Sequence, residues 1–259
     1  YQSKNGGHTY QDVVSARNPL KATMSALYAR AAGTSNPNTG IPSNTLILPE
    51  AIKQDLKLRG NFEKNALPGL TSAGSLGSTY AAFNPVGGGA ARENMELRLP
   101  QSRFSSRRNL LSALDGWRRN VEESGKLDGI DRYRGQAYDI LLRGVGNAFD
   151  LSKEDPKTIE RYDTSKLFDM KVLNRYNDMY RSSNLLGHQL LMARRLCEAG
   201  CGFVTVADAG WDMHGNNNSL PRLSGMKPLG NQVDHAVAAF LEDIEERGLS
   251  EKILLVITG

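Results

Sequence analysis

The feature that most constrains the fold is the alternation of helix and strand patterns in the last third of the chain. Leucines at helical spacing predict a helix at 184–199, which Gly200 ends. A continuous apolar run follows at 203–207, then an amphipathic helix pattern at 228–247 and a second apolar run at 252–257. Continuous apolar strands are typical of parallel sheets covered on both faces. The pattern therefore predicts an α/β fold in which these two strands are parallel, lie in one sheet and have a right-handed connection.

The segment directly after the first of these strands carries the polar residues of a candidate site. Asp208, Asp212 and His214 follow the strand among glycines and asparagines. Side chains just past the carboxyl end of a strand lie where open parallel sheets build their sites. Asp212 and His214 are also ligand types suited to a divalent metal. The same residues fit an ordinary loop in which aspartate forms turns and histidine is solvated, and spacing alone leaves both interpretations open.

Composition limits the class of protein. The chain has 259 residues, enough for one large α/β domain or two small ones, and we find no apolar run long enough to predict a transmembrane helix. Its net charge of +4 is mildly basic, and no nucleic-acid-binding motif accompanies it. The arginine pairs at 107–108, 118–119 and 194–195 are therefore predicted to lie on solvated helix faces. Cys197 and Cys201 do not form a disulfide framework and are predicted to be packing thiols.

The earlier part of the chain is less regular. A helix is predicted at 20–32 and a short strand at 45–49, which a proline ends. Residues 59–180 are predicted to form a loop-rich and helical insertion. The sequence does not start with methionine and stops directly after a strand pattern. We therefore expect 1–259 to be a single partial domain, incomplete at both termini.

Short motifs along most of the chain carry a resemblance to one bacterial family. They are LGSTY at 76–80, AFDL at 148–151, ARRL at 193–196, EAG at 198–200, FVTV at 203–206, WDMHGNN at 211–217, LED at 241–243 and RGL at 247–249. In this order they resemble the family named domain of unknown function 1501, which is grouped with the alkaline phosphatase and sulfatase superfamily. The resemblance implies an alkaline-phosphatase-like α/β/α sandwich with a mostly parallel sheet.

The resemblance also implies a chemistry. In that superfamily, phosphate or sulfate esters are hydrolysed at a divalent metal site, here zinc, manganese or calcium, which polarises the ester and activates a hydroxyl nucleophile. Carried over by position, Asp212 and His214 resemble metal ligands, and Asp208 matches less well. The superfamily places its nucleophile at a helix N-terminus, where Thr9 is expected, and His8 beside it is a further candidate ligand. Thr9 as a simple helix cap and His8 as a loop histidine are the competing interpretations.

Two functions stay open at this stage. The first is a metal-dependent hydrolase of an anionic phosphate or sulfate ester. The second is a non-catalytic binding or assembly protein of the same superfamily, because the chain lacks both the Cys-x-Pro-x-Arg sulfatase signature and the Asp-Ser-Ala phosphatase motif. The resemblance further implies a periplasmic or secreted location. Nucleic acid is not expected as a partner.

Overall fold

A computed structural model describes residues 22–53, 55–58, 72–85, 145–213, 217 and 219–258. Its regular elements are α1 (Met24–Ala32), β1 (Asn44–Ile47), α2 (Pro49–Ile52), α3 (Pro156–Arg161), α4 (Met170–Leu173), α5 (Leu186–Glu198), β2 (Phe203–Val206) and α6 (Arg222–Glu246). Short 3-10 helices lie at Gly74–Leu76, Ser78–Tyr80, Val145–Phe149, Leu151–Lys153 and Asn177–Met179. Across these ranges no helix combines the length and apolar composition that a membrane crossing requires.

A two-stranded parallel sheet organises the part of the chain that the structure describes. β1 pairs with β2 in a register that runs from Asn44 opposite Phe203 to Ile47 opposite Val206. All four β1 residues are buried, and the far edge of β1 forms a bridge to Phe83. The mixed helix and strand composition and the parallel sheet confirm the α/β class. The sheet joins β2 to β1, whereas the sequence predicted that residues 252–257 lie in one sheet with β2.

The predicted strand at 252–257 is wrong for the described chain. Residues 253–258 form no strand, although Ile253 and Leu255 pack against the apolar cluster between α5 and α6. Leu254, by contrast, is 86% exposed. An apolar run becomes a strand only when a neighbouring strand accepts and donates its backbone hydrogen bonds. Here the run buries alternate side chains without such a ladder.

Helices cover the sheet on its two faces because side chains alternate along each strand. Val204 and Val206 point toward α5, where they pack with Met192, Leu196 and the surrounding cluster. Phe203 points the other way and meets Tyr28 of α1, with the two ring centroids 6.1 Å apart. Helices therefore contact both faces of the sheet, although the four β2 residues are only half-buried.

Helix α6 packs against α5, and their interface contains a buried group of charges. Arg194 of α5 is 1% exposed and donates to Asp243 of α6, which is equally buried, through Nε at 2.8 Å. The same guanidinium binds Glu154 and Glu198, and Tyr162 donates its hydroxyl to Asp243 at 2.9 Å. The prediction that the 194–195 pair lies on a solvated face is therefore wrong for Arg194. The buried partners Glu154 and Asp243 come from distant segments, which helical spacing alone does not reveal.

Candidate functional site

The candidate loop, residues 208–213, leaves the carboxyl end of β2 in an anchored position. Gln189 of α5 is fully buried, and its amide nitrogen donates to the carbonyl oxygens of Ile47 and Ala207, at 3.1 and 3.2 Å. These two carbonyls lie at the ends of β1 and β2. The Gln189 side chain therefore links the carboxyl ends of both strands to α5, and this fixes the position at which the loop begins.

Asp208 lies at the centre of a buried hydrogen-bond network. The two terminal nitrogens of Arg181 bind its two carboxylate oxygens, with Nη1 at 3.1 Å from Oδ2 and Nη2 in contact with Oδ1. Trp211 Nε1 and Gln232 Nε2 also donate to Oδ2, at 2.8 and 3.1 Å. Four donors from three side chains thus converge on one carboxylate whose side chain is 11% exposed. Bidentate, charge-assisted pairing of this kind fixes orientation as well as distance.

Both the side chain and the backbone of Arg181 make hydrogen bonds to neighbouring segments. Its Nε donates to the Ser183 carbonyl at 2.7 Å, and Nη1 donates to the Ala209 carbonyl at 3.0 Å. The Asn174 side chain accepts from the backbone N–H of Arg181 and donates to its carbonyl, each at 3.0 Å. The Arg181 side chain is only 2% exposed, and its hydrogen bonds hold it in one position against the loop.

The loop also approaches this segment through its backbone. Gly210 has φ of +89°, and a Cβ placed there would lie 2.7 Å from the carbonyl oxygen of Met179. Only glycine accommodates both the left-handed conformation and the close contact. Beyond it, Trp211 and Met213 pack onto a cluster that includes Met179 and Leu229. Trp211 therefore combines a packed indole ring with a hydrogen bond to Asp208.

The predicted site residues divide into those the structure describes and those it does not. Asp212 is half-buried on the anchored loop, four residues after Asp208. His214, His8 and Thr9 lie outside the described residues, so their predicted proximity to Asp212 stays a prediction. Within the described ranges, no three His, Cys, Asp or Glu side chains lie together as a metal-binding group. Asp208 acts as an acceptor for other side chains, and its use as a metal ligand also stays a prediction.

Arg181, Gln232 and Asn174 are the contributors that the sequence did not reveal. Arg181 lies in an irregular Tyr-Arg-Ser-Ser segment, and Gln232 occupies an unremarkable polar position in α6. Nothing in the local pattern marks either residue as buried. A buried arginine is recognised only from the carboxylate and carbonyls around it, and these come from other parts of the chain.

The histidines of the described residues contact backbone carbonyls, and the two cysteines are shielded from solvent. His188 and His235 contact the carbonyl oxygens of Ile159 and Arg161 through Nε2, at 3.3 and 2.9 Å. Burial raises the pKa of the Cys197 thiol to about 12. Burial also raises the pKa of Cys201, although a hydrogen bond with Thr45 opposes that shift. Both cysteines are free thiols, as expected of packing residues.

The fold and the loop define the class of molecule: an α/β protein whose parallel strand leads into an anchored acidic loop. The chain belongs to the family described as "Protein of unknown function (DUF1501)", whose model matches residues 3–259. No curated protein and no solved structure matches the chain.

Proposed function

We propose that this protein is a metal-dependent hydrolase of phosphate or sulfate esters, with Asp212 and His214 as metal ligands. One observation carries the proposal: Asp212 lies on a loop fixed directly beyond the carboxyl end of a parallel strand. This edge of a parallel sheet is where α/β proteins build their sites. The resemblance to the alkaline phosphatase and sulfatase superfamily supplies the reaction class. An alkaline-phosphatase-like sandwich and an extracytoplasmic location belong to the same proposal.

The proposed donors fit a divalent metal in type. A carboxylate and an imidazole two positions apart are oxygen and nitrogen ligands that zinc and manganese accept, and calcium prefers the carboxylate. A bound ion of this kind polarises an ester oxygen and lowers the pKa of an attacking hydroxyl. Asp212 is the one member of the proposed pair within the described residues. His8 as a further ligand and Thr9 as the nucleophile complete the proposal.

A specific observation favours the second candidate function, a non-catalytic binding or assembly protein. Asp208, the other carboxylate of the loop, accepts hydrogen bonds from Arg181, Trp211 and Gln232. Those bonds give it a structural use. A loop held by this many hydrogen bonds can also present a fixed surface to a binding partner.

Metal binding and ester hydrolysis measured on the same preparations separate the two candidates. Equilibrium dialysis measures zinc, manganese and calcium binding, and aryl phosphate and aryl sulfate esters report hydrolysis. The variants are Asp212→Asn and His214→Ala, and the matched control is Asp234→Asn, which changes an exposed aspartate of α6.

If the protein is a hydrolase, the wild type and Asp234→Asn bind metal and hydrolyse an ester, whereas Asp212→Asn and His214→Ala lose both properties. A folded wild type that binds none of the three metals and hydrolyses neither ester contradicts the proposal. Metal binding without hydrolysis favours the non-catalytic function.

A further inference from the structure

We infer that Arg181 is a positioning residue for the candidate site: by holding Asp208, it sets the position of the loop that presents Asp212. Its bearing on metal binding rests on the proposed function. Arg181 lies 31 positions before Asp212 in the chain, on the separate segment that follows α4.

The contacts of Arg181 reach the loop at consecutive residues. Its guanidinium binds both oxygens of the Asp208 carboxylate and also the carbonyl oxygen of Ala209. It therefore fixes a side chain and the backbone of the next residue at once. Such double attachment removes the rotational freedom that a single hydrogen bond would leave. Asp212 follows only three residues after the second attachment point.

The other contacts of Asp208 extend this control toward Asp212. Trp211 is the immediate neighbour of Asp212, and its indole N–H donates to the same Oδ2 atom that Arg181 Nη1 contacts. Gln232 of α6 links the two partners, because its amide nitrogen donates to Asp208 and its oxygen accepts from Arg181 at 3.2 Å. The position of Trp211 therefore reports whether the pairing of Arg181 with Asp208 is intact.

The geometry requires arginine and not merely a positive charge. Five N–H groups in a planar fork meet Asp208, Ala209, Ser183 and Gln232 in different directions. A lysine offers a single ammonium on a flexible stem and cannot reach all of these acceptors. The Arg181→Lys substitution would leave at least one buried carbonyl and one carboxylate oxygen without their present donors. We therefore expect this conservative substitution to disturb the loop nearly as much as removal of the charge.

The test measures the loop and the metal separately. Trp117 and Trp211 are the two tryptophans, so a Trp117→Phe background makes emission specific for Trp211. The variants are Arg181→Lys and, as a milder change that keeps the ion pair, Gln232→Met. Arg175→Lys alters an exposed arginine of the same segment and serves as the control. Each protein is compared for Trp211 emission, acrylamide quenching, Mn²⁺ affinity by titration, and urea unfolding.

If Arg181 positions the loop, Arg181→Lys shifts Trp211 emission to longer wavelength, increases quenching, and weakens Mn²⁺ binding by about 10- to 100-fold, the range typical of groups that orient ligands. Gln232→Met is expected to shift Trp211 emission, quenching and Mn²⁺ affinity in the same direction but by less. If Arg181→Lys does not fold, Gln232→Met alone tests the inference. Unchanged Trp211 signals in a folded variant overturn the inference, and so does unchanged Mn²⁺ affinity beside altered Trp211 signals. A wild type that binds no Mn²⁺ counts against the proposed manganese site. The Trp211 signals then decide the role of Arg181 by themselves.

Discussion

Replacing Glu154 with glutamine should destabilise the protein strongly at neutral pH and much less in acid. The Glu154 side chain is 7% exposed and accepts from three arginines: Arg194, Arg195 at 2.8 Å and Arg247 at 3.0 Å. Burial by itself would raise the pKa of this carboxyl, but hydrogen bonds from Arg195 and Arg194 outweigh it and lower the pKa from 4.5 to about 2. The charged form is therefore favoured in the folded protein.

The size and sign of the effect follow from that shift. Lowering the pKa from 4.5 to about 2, at roughly 1.4 kcal/mol for each pH unit, corresponds to about 3.5 kcal/mol of stability at neutral pH. Because the folded-state pKa of Glu154 is the lower one, this stability is present above the unfolded pKa of 4.5 and is lost as the pH falls toward 2. Linkage places its value near pH 3 at about 1.4 kcal/mol, or about two-fifths of the neutral one.

Urea unfolding followed by circular dichroism measures the difference between wild type and Glu154→Gln at about pH 7 and about pH 3. The gap is expected to shrink from about 3.5 to about 1.4 kcal/mol. Glu246→Gln is the control, because that carboxylate is 62% exposed and pairs with Arg161 at the surface. It should cost less than about 1 kcal/mol. A neutral-pH gap for Glu154→Gln below about 1 kcal/mol, or one that does not change with pH, would refute the reasoning.

Three further predictions concern the sheet and the loop. Gly210→Ala should cost about 2–4 kcal/mol in urea unfolding, because an alanine there is strained at φ +89° and its Cβ would also lie 2.7 Å from a carbonyl oxygen. Gly248→Ala has φ +65° but open space around the Cβ, and it should cost about 1 kcal/mol. Equal losses for the two variants would argue against the close contact at Gly210. Gln189→Leu should cost about 1–3 kcal/mol by the same assay, since the Ala207 carbonyl loses its amide donor, whereas the Ile47 carbonyl keeps the Ala207 N–H at 3.4 Å; a neutral substitution would contradict a stabilising role for the Gln189 amide. Cys197 and Cys201 should react with a disulfide reagent at mildly alkaline pH far more slowly in folded than in urea-unfolded protein, because burial raises both thiol pKa values; comparable rates would contradict that burial.

Local periodicity was sufficient to predict several elements, whereas pairing between strands was not. The helix expected at 184–199 is observed at Leu186–Glu198, and the strand after it differs by one residue. Helix α6 begins at Arg222, six residues before the expected start at Pro228. Pro228 lies inside the helix, although proline is more common in the first turn. The partner of β2 could not be predicted, because a parallel pair forms between segments that local patterns do not connect.

The candidate site was predictable only in its location. The strand followed by Asp208 and Asp212 indicated where polar side chains would gather, and the structure places that loop at the strand end. Apart from Trp211 of the loop itself, the donors that hold Asp208 come from the segment before α5 and from α6, and no spacing rule relates these two to the loop. Arg194 was misjudged for the same reason, since its buried carboxylate partners belong to other elements.

The parallel pairing of β1 with β2 joins segments far apart along the chain, which constrains the order of folding. Asn44 and Phe203 are register partners separated by 159 positions, whereas α5, β2 and α6 are consecutive between Leu186 and Glu246. Short-range contacts form sooner than those that must first close a long loop, so β1 should dock onto a preformed helical unit. The entropy of that closure rises only logarithmically with length, and doubling the intervening chain costs about 0.6 kcal/mol. Residues inserted into a surface connection between the two strands therefore add little to the entropy of bringing the strands together.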